Sequence, residues 1–536
     1  MNRMLEVDAE PKKTPPNSPS ALLLTERLWS RLRPRATFRV VRELFPRLLA
    51  VCYIMAFASW GLQCDGLTGS DGILPAANWI EGVKDWAGGS SAKAFWEVPT
   101  IFLWHYSDSF ARWVCWGGAA LALLVIAGFA PGPLLLTLWL AYLSLVKTGG
   151  VFMSYQWDTL LLETGLLGAL FAPWRLSTWR PGKNFPDGPW LGIILLHWLL
   201  VRLMFFSGFV KLASDDPTWR NCTALNFHYE TQPLPTWLGW WAHQLPEWAH
   251  VTSCRITFLI ELVLPFALLL GRWGRLGGCL GFTALMLLIL LTGNYTFFNW
   301  LTIFLALTLL DDSWWPHVVK RWLRLSRTSR QPASRLAAIF TWAAGIPLLL
   351  LSLVATTMAL EKPSAKKRSL VPQWARQFYA AASPFASVNS YGLFAVMTTE
   401  RNEIVFEVSA DGAQWHEVEF KWKPGNVRRA PGFVAPHQPR LDWQMWFAAF
   451  HPGFVPQRDM SSPRMNWFGH FVGRLLDHKK PVWELLERPP IAIESIKFVR
   501  CQFYRYRFSD LSTRRATGAW WTREYLSRYS DTFAKP

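Results

Sequence analysis

The sequence predicts a polytopic α-helical membrane protein of about nine spans with a C-terminal soluble α+β domain, and three observations predict it. Hydrophobic residues make up 51% of the chain, and mean hydropathy is +0.13. The apolar residues gather into long blocks separated by short basic loops, which a large soluble helical enzyme would not need. After residue 360 the blocks give way to short runs that alternate polar with apolar residues, the pattern of half-buried strands.

The blocks lie near residues 43–62, 108–130, 133–147, 156–173, 189–210, 251–270, 276–292, 297–311 and 336–359. A hydrocarbon layer about 30 Å thick asks for roughly 20 apolar residues. The short third, fourth and eighth blocks therefore need aromatic anchors, a re-entrant path or burial inside the bundle. The 34 Trp and 36 Phe residues, many at block edges, supply such anchors.

Lys and Arg excess marks cytoplasmic loops. The tail before the first block holds Lys12, Lys13, Arg27, Arg31, Arg33, Arg35, Arg39, Arg42 and Arg47. With nine crossings the basic loops 174–188, 271–275 and 312–335 fall on the same side as this tail. Loops 63–107 and 211–250 and everything after residue 360 then face the lumen or periplasm. Residues 1–42 form a cytoplasmic basic tail, 43–360 the multi-span domain and 370–536 the soluble domain. The stretch before residue 22 reads as disordered and lacks the pattern of a signal peptide, so the first span is expected to act as an uncleaved anchor. The net charge of +18 sits in loops that touch anionic membrane lipid. Being scattered, with no folded basic module, it argues against nucleic acid as a partner.

In the soluble domain, Glu403–Ser409 and Gln414–Trp422 flank Asp411-Gly412 as a hairpin. Ile491 to Phe508 offers two further strand-like runs, and Leu441–Phe450 and Asn466–Asp477 have helical spacing. Tyr504, Tyr506 and Phe508 alternate with Arg505 and Arg507, as on a strand with one packed and one wet face. The aromatic and Met residues of Arg440–Phe450 read as core, with an adaptable client-binding face as the alternative.

Seven cysteines include no Cys-x-x-Cys pair, which leaves zinc ribbons and thioredoxin-type chemistry without support. Cys64 and Cys222 fall in loops on the same expected oxidising side and are a candidate disulfide. Asn221-Cys-Thr and Asn294-Tyr-Thr match glycosylation acceptors, Asn294 lying close to a span. No metal set or cofactor motif is present.

The densest chemistry lies in Phe206–Pro235, which leaves an apolar run and ends in a polar, aromatic loop holding Lys211, Asp215, Asp216, His228, Tyr229 and Glu230. Ionisable groups within spans need a partner or a purpose. Asp158 and Glu163 are five residues apart and so point to different sides of a helix. They are not an acid–base dyad. Structural pairing with other helices is the favoured reading, with Arg202 and Arg255 the available cations and Glu261 a third such acid. His228-Tyr229-Glu230 reads as a packed loop segment rather than a metal or catalytic site, since consecutive side chains diverge. Trp237, Trp240, Trp241 and Trp248 suggest an interfacial surface or an aromatic patch that cradles a partly folded client.

Six segments carry a family resemblance: Gln156–Gly165, Asn226–Pro233, Glu261–Phe266, Gly293–Thr302, Asp311-Asp312 and Tyr504–Ser509. In order and over nearly the whole chain from residue 45, they resemble the signature blocks of the lipase maturation factor family. The resemblance implies a multi-pass membrane protein of the endoplasmic reticulum, or of the inner membrane in a bacterium. It also implies a lumenal or periplasmic C-terminal domain and a chaperone-like, non-enzymatic role toward a secreted lipase-like client met through the lumenal loops and that domain. A more distant one links Phe206-Ser-Gly-Phe-Val-Lys-Leu212 with Asp216-Pro-Thr-Trp219 to the horizontally transferred transmembrane domain superfamily, which includes vitamin K-dependent γ-glutamyl carboxylase. It implies Lys211 as a base and a carboxylase-like enzyme as the alternative reading. A transporter is the third.

Overall fold

The computed structural model describes residues 36–179, 185–324, 335–361, 369–450 and 466–535. The tail before residue 22 and parts of the basic loops 174–188 and 312–335 lie outside these residues.

Among the described residues, each expected apolar block is helical. The helices are α1 (Arg39–Gly61), α2 (Asp108–Ile126), α3 (Pro131–Thr148), α4 (Gln156–Phe171), α5 (Trp190–Ala213), α6 (Glu247–Phe258), α7 (Gly271–Thr292), α8 (Phe298–Leu307) and α9 (Arg335–Leu360). Four stretches are long and apolar enough to cross a membrane: Asp108–Ile126, Trp190–Ala213, Glu247–Thr292 and Ala337–Leu360. The others are short, as in the 10-residue α8, or open on charge, as α1 does with Arg39, Arg42, Glu43 and Arg47. The Glu247–Thr292 stretch is interrupted. A π turn at Leu259–Val263 widens it, Pro265 follows, and Gly271 at φ +76° turns the chain into α7, a conformation that suits glycine.

α1 is the inner post of the bundle, packed against α2, α3, α4 and α8 and buried along most of its length. Its start is capped from a distant segment: Asp312 accepts the Val40 amide at 2.9 Å and the Arg39 Nε at 3.3 Å. A carboxylate satisfies an orphan donor there and favours the positive end of the helix. Arg275 pairs with the neighbouring Asp311 at 2.9 Å. At 1.5 Å per residue, α1 carries the chain roughly 35 Å from this end to the other, where Ser59 and Gln63 meet the C-terminal domain. Midway, α4 crosses α1 at Gly165, whose missing side chain leaves room for the Tyr53 hydroxyl: a Cβ there would lie 1.9 Å from Oη.

The C-terminal domain is built on a four-stranded antiparallel sheet in the order β2-β1-β3-β4, with β1 Arg401–Ser409, β2 His416–Val418, β3 Phe498–Phe508 and β4 Trp521–Ala534. The expected hairpin is present, turning where Asp411 accepts the amides of Ala413 and Gln414, but β2 is shorter than Gln414–Trp422. The two strand-like runs expected from Ile491 to Phe508 are one strand, preceded by a 3-10 turn at Ile493–Ser495. The final strand, β4, was not expected, because its exposed face is polar and its alternation weak. Helices α10 (Arg440–Ala448) and α11 (Asn466–Leu476) lie where helical spacing put them. Phe406, Phe420, Phe468 and Phe471 form one ring cluster of the core.

Gly165→Ala is expected to lower the melting temperature of the detergent-purified protein, an overpacking cost of about 1–3 kcal/mol. Tyr53→Phe, which removes the clashing oxygen, should recover much of that loss; no recovery would place the close contact elsewhere.

Candidate functional site at the seam between helices and C-terminal domain

Most of the residues singled out in the sequence converge at one place, the end of the bundle that carries the C-terminal domain. Asp158, fully buried near the start of α4, accepts from Tyr142 at 2.6 Å and takes the Arg440 guanidinium in a two-pronged ion pair at 2.6 and 2.8 Å. Arg440 opens α10, donates also to the Phe152 carbonyl, and lies over the rings of Tyr155 and Trp60. Glu163, further along α4, pairs with Arg202 of α5 at 2.6 Å. Its second oxygen accepts the Asn389 amide at 2.9 Å and the Tyr391 hydroxyl at 2.6 Å. Gln156 closes the same contact by exchanging two hydrogen bonds with the Gly392 backbone.

The loop after α5 is spent in the same way. Asp216 caps the turn Pro217–Arg220 by accepting from the amides of Thr218 and Trp219, and its other oxygen takes the Met397 amide at 2.9 Å. Trp219 is buried and donates to the Phe394 carbonyl. The short helix Leu225–Thr231 holds His228, Tyr229 and Glu230. Glu230 accepts the Phe508 amide at 2.9 Å, and burial raises its pKa. Tyr229 packs on His250 and against the Tyr506–Phe508–Trp521 cluster. His228 stands edge-on to Phe394, 3.4 Å from the Tyr295 hydroxyl. Arg401 at the start of β1 donates to the carbonyls of Glu230, Gln232 and Pro233 while bound to Glu403, which also holds Lys423. Asn294 spends its whole side-chain amide on backbone: it donates to Leu234 and Gly432 and accepts from Val434 and Ala435. That burial closes it as a glycan acceptor in the folded state.

Lys211 and Glu261 form a further buried ion pair at 2.8 Å, the carboxylate presented by the π turn. Lys211 donates to both Glu261 oxygens and to the Ser207 carbonyl, which uses all three of its N–H bonds, and its ammonium lies over the Trp219 ring. The neighbouring acids do not hold it: Asp215 pairs with Arg220 and Asp216 is the cap just described. Arg202 takes Glu163, as anticipated, but Arg255 is exposed and takes none of the three acids. Asp158 and Glu261 find cations that the helical blocks alone did not offer. Asp312 is apart from all of this, at the far end of α1.

Two other expectations change. Cys64 and Cys222 are not bridged to each other. Neither is bridged in this structure: Cys64 lies beside Gly61 and Cys115, and Cys222 packs with Cys254, Trp219 and Met397. Of the four tryptophans between residues 237 and 248, Trp240 is buried against Trp520, while Trp237, Trp241 and Trp248 are exposed. In α10, Leu441, Trp443, Met445 and Trp446 are buried, and Phe447 is exposed, as is Phe450 just after it. Among the described residues no group of three His, Cys, Asp or Glu is placed to hold a metal.

Two family descriptions match the chain: the lipase maturation factor transmembrane domain over residues 40–317 and the lipase maturation factor C-terminal domain over residues 387–531. Curated relatives include lipase maturation factor 2 of Gallus gallus, 35% identical over 92% of this chain and 81% of the relative, and its Homo sapiens counterpart, 35% identical over 92% and 82%. Lipase maturation factor 1 of Bos taurus is 32% identical over 93% of this chain and 90% of the relative. No solved structure matches.

Arg440→Ala is expected to cost roughly 3–5 kcal/mol by stranding the Asp158 carboxylate, read as earlier thermal unfolding and faster proteolysis after residue 370. Replacing Asp158 by Asn as well should return part of the loss. Acid weakens the same region. Burial pushes His228, His243 and His437 down from 6.5 to about 4, with Arg440 and Lys421 adding to the effect at His437. In the unfolded chain these rings protonate near pH 6.5, so below that value the unfolded state binds more protons. Stability should therefore fall as pH drops from 6.5 toward 4, and His437→Gln should flatten the profile.

Proposed function

The chain belongs to the lipase maturation factor family, and on that premise we propose that it is a membrane-embedded factor for the folding and assembly of exported lipase-like hydrolases. The observation that carries this reading is the fate of the motif residues. Asp158, Glu163, Asp216, Glu230 and Asn294 all hold the C-terminal domain on the bundle, and each carboxylate or amide is consumed by a partner across the seam. Groups so used build a rigid platform between the bundle and the C-terminal domain.

A client would meet the outer surface of that platform, where Trp237, Trp241, Trp248, Phe447 and Phe450 offer exposed apolar rings suited to transient contact with a partly folded chain. About nine crossings, with the basic tail in the cytoplasm, would put this surface in the endoplasmic reticulum lumen, or in the periplasm of a bacterial host. The paired Asp311 and Asp312 at the basic-loop end and the C-terminal domain at the other end of α1 are in keeping with that orientation. A reaction with Lys211 as base draws no support from a lysine whose three N–H bonds are engaged. A transporter would rest only on the π turn, whose carboxylate Lys211 neutralises.

Two measurements test this. In cells co-expressing a secreted lipase, deletion of 370–536 should abolish release of active enzyme, while the charge-neutral pair Lys211→Met with Glu261→Gln should largely retain it. A folded pair variant that fails to support release would return attention to intramembrane chemistry. Impermeant thiol labelling should reach Arg515→Cys from outside the cell or vesicle lumen but not Arg31→Cys; labelling of both from one side would remove the orientation.

A further inference from the structure

Seven cysteines distribute unevenly over this fold. Cys64 follows directly on Gln63, which donates to the Gln438 carbonyl of the C-terminal domain, and Gly66 lies against the Pro481 backbone. The Cys64 thiol rests on the Gly61 carbonyl, and Gly61 is so close to Cys115 that a Cβ placed on it would sit 3.1 Å from the Cys115 Cβ. The two thiols are in interaction range of each other. Cys222 and Cys254 form a second such couple. Cys254 is fully buried with Trp219, Ala224 and Met397, and Cys222 packs on that cluster. Met397, which donates its amide to Asp216, ties this couple too to the C-terminal domain. The other three lie singly: Cys52 midway along α1, Cys279 near the Arg275–Asp311 end of α7, and Cys501 within β3.

The four cysteines at the seam end thus fall into two neighbouring couples, and the three elsewhere into none. We propose that Cys64–Cys115 and Cys222–Cys254 are oxidised to two disulfides in the mature protein, one stapling the end of α1 to the start of α2 and the other fixing the loop after α5 to α6. This rests on the orientation given above, which turns the seam end of the bundle, where all four thiols lie, toward the compartment in which disulfides form and persist. In each step two S–H bonds break and one S–S bond forms. The two protons and two electrons pass to a disulfide of an exchange catalyst or of an oxidised small-molecule thiol, whose S–S bond breaks to give two thiols. Oxidation precedes burial, while the segments are still open during folding.

The test uses full-length protein extracted from membranes without reductant, in the presence of N-ethylmaleimide, then digested and mapped by mass spectrometry with and without reduction. Peptides linked as Cys64–Cys115 and Cys222–Cys254 should appear, with Cys52, Cys279 and Cys501 alkylated. Cys115→Ser should free Cys64 for alkylation and leave the Cys222–Cys254 link intact, while Cys254→Ser should do the converse. All four thiols alkylated, or a Cys64–Cys222 link, would overturn the proposal. The Arg515→Cys labelling separates the two possible failures. Free thiols in a protein whose C-terminal domain is labelled from the exported side sink the disulfides alone, whereas labelling from the cytoplasmic side sinks the orientation with them.

Discussion

The structure depends on a buried charge that cannot be left alone. Asp158 lies fully buried in the wall of the bundle, and its counter-ion, Arg440, belongs to the other domain. Coulomb attraction at contact distance in a poorly polarisable interior offsets much of the desolvation of both ions, but only while both prongs of the guanidinium are engaged and the remaining valences are filled. Tyr142 and the Phe152 carbonyl fill most of them, and the Arg440 Nε is left without a partner. Either domain without the other would hold an uncompensated ion, so the two behave as one cooperative body, despite a sequence texture that divides them after residue 360.

Around that pair the seam is redundant. α4 contributes two anchors of different chemistry: an ion pair to α10 at Asp158, and at Glu163 a carboxylate shared between a neighbouring helix and the backbone of residue 389. The loops after α5 and α7 add Asp216, Glu230 and Asn294, each of which satisfies backbone groups of the C-terminal domain that would otherwise be buried unpaired. Arg401 answers in the other direction by gathering three carbonyls at the end of the Leu225–Thr231 segment. With backbone groups held from both sides, the seam resists sliding as well as separation.

Much of this was legible in the sequence, because helices of membrane proteins announce themselves by apolar length and strands by alternation. The helical blocks, the Glu403 hairpin and the α10 and α11 segments follow from those periodicities, and Arg202 as one available counter-ion follows from intramembrane charge needing a partner, though not which acid it takes. What was not legible is long-range. Arg440 looks like an ordinary helix-start arginine, and nothing within many residues of it signals Asp158. Arg401 heads a strand as any surface arginine might. Glu261 was read as an acid seeking an arginine, whereas the π turn, which no local propensity encodes, turns it to Lys211. β4 was missed because one of its faces is wet. The cysteine pairing failed for a related reason: shared compartment says nothing of proximity, and Cys64 and Cys222 each have a nearer thiol.

The distance along the chain between Asp158 and Arg440 is 282 residues, and a ribosome delivers them in that order. While α4 is already in place, its carboxylates await a guanidinium and a backbone amide that have yet to be synthesised. Until then Asp158 has only the Tyr142 hydroxyl, and Glu163 only Arg202, of the partners they hold in the finished fold. A chain cut short anywhere before residue 389 lacks the C-terminal partners of both, a chemical mark of incompleteness written into the bundle itself.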